Sequence, residues 1–210
     1  MSKRKELITD IIWLFIIGGL LGYAIEVLYY FIKNGVWINK QGLLYGPFKP
    51  IYGLGTMLIT FVFKKIKSKN FFIIFILGTV LGSAYEYLLS VFQEYVLHTS
   101  TWNYSSFNYN LNGRIYLPYC FCWGIVSLIW IKLCYPPIKK IINKIPYTIT
   151  LITGILIILD VLISGIAVYE YSNRQNNIKS NNTILKIIDK KYPDEIIEKK
   201  YPKLRVVKNK

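Results

Sequence analysis

The chain has 210 residues, 53% of them hydrophobic, and 26 Lys/Arg against 11 Asp/Glu give it a net charge of +15. A mean hydropathy of +0.36 excludes an ordinary water-soluble domain. Basic charge held in short loops and a tail argues against nucleic acid, and three cysteines in one apolar stretch (Cys120, Cys122, Cys134) read as packing rather than as disulfides.

Taken in chain order, residues 1–10 form a basic N-terminus, and apolar runs follow at 11–32, 47–64, 71–97, 115–135 and 147–171. At roughly 20 residues per crossing they predict five membrane-spanning helices, an all-α polytopic helix bundle. The first run is too long for a signal peptide and lacks a small-x-small cleavage site, so it reads as an uncleaved anchor. Pro47 and Pro118 open the second and fourth runs, where a missing N–H has no intrahelical acceptor to lose. Residues 172–210 carry 11 Lys/Arg and 4 Asp/Glu. They read as a solvated polar tail, with binding to an anionic surface as the other reading.

Two stretches of the chain are copies of each other. Phe15–Leu28 and Phe75–Leu88 agree at 8 of 14 positions at a constant offset of 60, which aligns Glu26 with Glu86. Further on, Gln41–Phe48 matches Asn112–Tyr119 and Tyr52-Gly53 matches Trp123-Gly124 at an offset of 71, so the second copy carries an inserted loop. Repeat A covers 11–66 and repeat B 70–136, each a pair of helices joined by an aromatic loop. Two crossings return a chain to its starting side, so the copies are expected to lie parallel, about an axis along the membrane normal. The fifth helix, 147–171, stands apart.

Eleven Lys/Arg in the N-terminus and in the turns after the second and fourth runs outnumber the four opposite them (Lys33, Lys40, Lys49, Arg114). That bias places the N-terminus in the cytoplasm and the aromatic loops outside. Glu26 and Glu86 are carboxylates inside apolar helices, costly enough to mark a polar site. Gly18 and Gly22 share a face with Glu26, as Gly78 and Gly82 do with Glu86. Small residues at this spacing allow close helix approach, so the two glycine faces are expected to pack together and bring the glutamates into one pocket. A proton or cation would then be needed there. Arg114, present only in the second copy, is the candidate cation, within easier reach of Glu94 than of Glu86; it serves a binding site or a structural clamp. Tyr45, Tyr116, Asn112 and Trp102 lie in the turns that close over the site. Asp160, in the fifth helix, pairs with the repeats or another subunit, or is a lone hydrogen-bonded acid. His98 reads as a surface residue, and neither a metal-ligand set nor a P-loop, Gly-x-Ser-x-Gly or His-Glu-x2-His motif occurs.

As an ordered set, Gly22-x3-Glu26, Gly42-x2-Tyr45-Gly46-Pro47, Pro50-Ile51-Tyr52-Gly53-Leu54-Gly55, Gly82-x3-Glu86, Trp102-Asn103-Tyr104-Ser105, Asn112-Gly113-Arg114-Ile115 and Trp123-Gly124 resemble the putative ABC-transporter type IV family, bacterial membrane proteins described as permease-like. The resemblance covers about residues 10–136 and leaves out the fifth helix and the tail. It implies a non-ATPase transmembrane subunit of a transporter in the bacterial plasma membrane, with an outward-facing carboxylate pocket. It implies no catalytic residues and no cofactor, with membrane lipid, a separate P-loop ATPase and a second copy of the chain as partners. The alternatives are an intramembrane enzyme using Glu26 and Glu86 as acid and base on a lipid or envelope substrate, and a membrane sensor or assembly protein.

Overall fold

The computed structural model describes residues 2–179 and 182–207. Helix α1 (Lys3–Asn34) starts where the Ser2 hydroxyl accepts from Lys5 N and stops at Gly35, whose φ of +70° returns its N–H to Phe31 O. Helix α2 (Pro50–Ile66) begins at Pro50 rather than Pro47. Gly42 N donates to Phe48 O at 2.8 Å and Gly46 sits at φ +82°, so Pro47 belongs to a closed turn instead of a first helical turn. Helix α3 (Phe71–Val96) is capped by the Asn70 side chain, which accepts from Phe72 N and Ile73 N.

A short strand β1 (Thr99–Ser100) and a hairpin of β2 (Asn110–Leu111) and β3 (Ile115–Tyr116) lead into α4 (Leu117–Ile129). The fourth run does not stop near 135. It passes through a π-helical segment, Trp130–Cys134, into α5 (Tyr135–Ile142). The wider turn falls just ahead of Pro136 and Pro137, whose rings and missing N–H groups interrupt the α ladder. Helix α6 (Tyr147–Gln175) follows, then α7 (Thr183–Lys191), α8 (Asp194–Lys200) and β4 (Arg205–Val206).

Among the described residues four helical stretches are long and apolar enough to cross a membrane: Lys3–Asn34, Phe71–Val96, Leu117–Ile142 and Tyr147–Gln175. The 17 residues of α2 rise about 26 Å, somewhat less than a hydrocarbon core of roughly 30 Å.

Helix α1 packs on α2, and α3 on α4. The glycine faces do not meet each other as expected. Gly18 lies against Thr56 and Gly22 against the Tyr52 ring; Gly78 lies against Ser127 and Gly82 against the Trp123 ring. In return Gly53 receives Phe15 and Gly124 receives Phe75. Each notch in α1 and α3 is filled by a side chain of the helix that follows in sequence, so these glycines do not meet the other pair; Gly55 of α2 does, against Trp123 and Tyr85. The pairs are joined instead by Trp130 Nε1, which donates to Thr60 Oγ1 at 2.8 Å, and by Tyr85 OH, which donates to Ile51 O at 2.8 Å. Leu14, Ile59, Phe63, Ile74, Trp130 and Ile142 form the core between them.

One end of the bundle is pinned by the buried Asp10, paired with Lys64 at 2.9 Å and Lys139 at 2.5 Å. The opposite end carries the long loops and residues 176–179 and 182–207. That C-terminal segment is folded, not solvated. Tyr192, Ile197 and Tyr201 pack on Leu44, Ala167, Val168 and Tyr171, and β4 pairs antiparallel with β1, Val206 opposite Thr99. Arg174 holds Asp189 and Asp194 across the turn. Apolar residues spaced through the lysines thus bury enough surface to dock a segment whose charge alone suggests a free tail.

Candidate functional site

Helix α1 outruns its partner. Lys49 N donates to Gly19 O at 3.2 Å, so after leaving α1 at Asn34 the chain descends about 22 Å along it, by the helical rise, before α2 starts. This re-entrant path brings Lys49 and Tyr52 to Glu26. Lys49 Nζ lies 2.5 Å from Glu26 Oε2, and Tyr52 OH donates to Oε1 at 3.0 Å.

The second glutamate is held in a related way. Trp123 Nε1 donates to Glu86 Oε2 at 2.8 Å and Tyr104 OH to Oε1 at 3.1 Å. Glu86 is buried, and among the described residues no ion pair reaches it. Burial, and then the neighbouring Glu86 charge, raise the Tyr104 phenol above its ordinary value, so Tyr104 stays protonated and a donor. Tyr52 and Trp123 face each other with centroids 6.3 Å apart, and Tyr85 stands edge-on to Trp123 at 6.0 Å. Tyr52 is within electrostatic reach of both carboxylates. Glu26–Tyr52–Trp123–Glu86 is thus one contiguous array across the two helix pairs. Tyr116 borders it, packed on Tyr104 and Phe107.

The remaining candidates fall into two other groups. Arg114 pairs with Glu94 at 2.5 Å, not with Glu86; it also donates to Ser90 Oγ at 3.3 Å and covers the Tyr87 ring. Trp102 Nε1 donates to Arg114 O at 3.0 Å and Asn112 Nδ2 to Tyr87 OH at 2.9 Å, so both belong to this group. Tyr45 lies with the C-terminal segment, its hydroxyl 2.6 Å from that of Tyr192, whose pKa burial and this contact push up to about 12. Tyr45 N and Ser164 Oγ both donate to Asp160 Oδ1, at 3.2 and 3.0 Å, and Ser164 Oγ accepts from Leu44 N. Asp160 therefore clamps the backbone of the re-entrant loop within this chain. His98 stands beside Tyr169 and is half-buried.

Reading the residues in sequence missed Lys49, Tyr52, Tyr104 and Trp123 as partners of the glutamates. A usable signal existed. Tyr52 aligns with Trp123 at the offset of 71, and both are aromatic side chains with one hydrogen to donate.

A family model described as putative ABC-transporter type IV matches residues 13–169. The chain belongs to that family. Its extent corrects the expectation that the fifth helix lies outside: the match runs through α6 as far as Tyr169, taking in Asp160 as well as both glutamates, and stops before α7, α8 and β4. Four long apolar helices and family membership agree on a membrane protein of ABC-transporter type. No curated protein and no solved structure matches the chain.

Proposed function

We propose that this protein is a permease-like, non-ATPase transmembrane subunit of a transporter, and that Glu26 and Glu86 form its polar site. The observation that carries it is the matched wiring of the two helix pairs: Gly22, Tyr52 and Glu26 in one, Gly82, Trp123 and Glu86 in the other. Equivalent contacts at equivalent positions support two parallel copies of one helix, re-entrant loop and helix unit, with α2 as the fifth crossing and α6 set apart. Parallel repeats about an axis along the membrane normal are a recurring plan for transporters, whose sites lie between the copies near that axis.

Charge gives the site its chemistry. Glu26 has Lys49, whereas Glu86 has two neutral donors, so a substrate ammonium or a proton would balance the second carboxylate. The excess of Lys/Arg in the turns supports an N-terminus on the cytoplasmic side of a bacterial plasma membrane, with the loops that cover the glutamates outside. Among the described residues no group of His, Cys, Asp and Glu that could hold a metal ion is found, so we read the protein as non-enzymatic, and with no P-loop in its sequence it needs a separate ATPase for energy. So few helices make a thin pathway, which calls for a second copy or a further subunit.

The test is to purify the tagged protein from its native membrane in mild detergent and sequence what accompanies it. A stoichiometric protein with a Gly-x4-Gly-Lys-Ser/Thr loop is expected. ATP hydrolysis by the reconstituted complex should then fall in Glu86→Gln at unchanged assembly. If no ATPase copurifies in any detergent that preserves the fold, the transporter assignment is lost.

A further inference from the structure

Two lysines from distant parts of the chain converge on one ring. Lys40 Nζ lies 4.3 Å from the centroid of Tyr30, and Lys203 Nζ, from the segment between α8 and β4, lies 5.3 Å from it. Lys40 is 8% exposed. Among the described residues neither lysine has an ion pair, and Glu26, whose charge acts on Lys40, is already held by Lys49 and Tyr52. Contact with the ring face offsets part of the cost of burying each cation, but leaves the two ammonium groups repelling each other. Burial, then Lys203, pull the Lys40 pKa down to about 8, the mark of an ammonium that lacks an anion.

An oxyanion with several acceptor oxygens removes that repulsion by taking a charge-assisted hydrogen bond from each lysine. We propose that Lys40 and Lys203, meeting over Tyr30, form a binding site for a phosphate group, and that filling it fastens the C-terminal segment to the end of α1. The site exists only while that segment is docked, so phosphate binding and docking reinforce each other by mass action. A membrane-lipid headgroup and free phosphate present the same oxygens.

The experiment measures chymotryptic cleavage of the segment in the full chain. One arm titrates inorganic phosphate, at chloride-balanced ionic strength, into protein in a phosphate-free detergent. The other compares nanodiscs of phosphatidylglycerol with nanodiscs of digalactosyldiacylglycerol, which has no phosphate. Cleavage should slow about tenfold in at least one arm. Slowing by inorganic phosphate assigns the site to free phosphate; slowing in phosphatidylglycerol alone assigns it to a headgroup. Lys40→Gln and Lys203→Gln should each abolish the response. Lys203→Glu supplies the missing carboxylate, so its segment should stay protected without phosphate and cease to respond. No response of the wild type in either arm overturns the proposal, as does a response that persists in the double Lys→Gln variant.

Discussion

Gly82 matters through the ring that presses on it. A Cβ at that position would stand 2.4 Å from Trp123 Cγ, close to the fixed end of the side chain. The indole cannot swing clear without withdrawing Nε1 from Glu86. Gly82→Ala should therefore lower the thermal midpoint in detergent, by overpacking worth about 1–3 kcal/mol, and should weaken any coupling of Glu86 to transport. Leu88→Ala, at a side chain 66% exposed, is the reference and should change the midpoint little. Equal effects at the two positions would mean that the glycine is not a packing notch. The periodicity of Gly78, Gly82 and Glu86 was legible in the sequence, because a four-residue spacing puts side chains on one helix face whatever the neighbour. The neighbour was not legible. A missing side chain records that something comes close, not which helix brings it. Lys49 escaped notice for a related reason: ahead of a helix in an isolated strip of sequence it reads as a solvated loop charge, and only the descent of the loop along α1 carries it to Glu26.

Elements whose form depends on distant contacts were the least legible. The π-helical turn at Trp130–Cys134 takes its form from the prolines just after it and its place from Trp130 on Thr60, and the docked C-terminal segment is set by the Leu44–Tyr171 cluster. A docked segment has a pH profile that a free tail lacks. Lys40 faces Lys203 from that segment, Lys49 from its own loop, and Tyr30 and Glu26 from α1. Its folded pKa of about 8 lies below the ordinary 10.5, so between these values the released state binds more protons than the docked one. Docking is therefore weakest below about pH 8, where the buried Lys40 is fully charged and repelled by Lys203, and strengthens as pH rises through the window. In phosphate-free buffer, chymotryptic cleavage of the segment, scaled to an unstructured reference peptide, should slow from about pH 7.5 to 9.5. Lys203→Gln should make the profile shallower, leaving the part that burial of Lys40 causes. A segment that loosens with rising pH, or a wild type indistinguishable from Lys203→Gln, would rule out the repulsion between the two lysines.

For the molecule as a whole, the apolar runs made an all-helical membrane bundle legible, while the direction of each helix rests on contacts at the two ends. Asp10 with Lys64 and Lys139, and Trp13 with Thr150, gather one end; Ser172 with His98, and β4 with β1, gather the other. Helices α1, α3 and α6 therefore run one way, and α2 and the α4–α5 rod run back. In a membrane this places the C-terminal segment on the side opposite the N-terminus, provided that the short α2 crosses. The lysines of the segment do not oppose such a placement strongly, because the charge rule acts on residues close to a span end and most of these lie well beyond it. Single cysteines in a chain freed of Cys120, Cys122 and Cys134 can decide it. On intact cells a membrane-impermeant maleimide should label Asn34→Cys, Ser106→Cys and Thr183→Cys. Ser68→Cys and Asn143→Cys should react only after permeabilisation. Labelling of Ser68→Cys with the first group would mean that α2 turns back inside the membrane. Protection of Thr183→Cys together with Ser68→Cys would mean that α6 does not cross, and the pairing of Thr99 with Val206 could not then form in the cell.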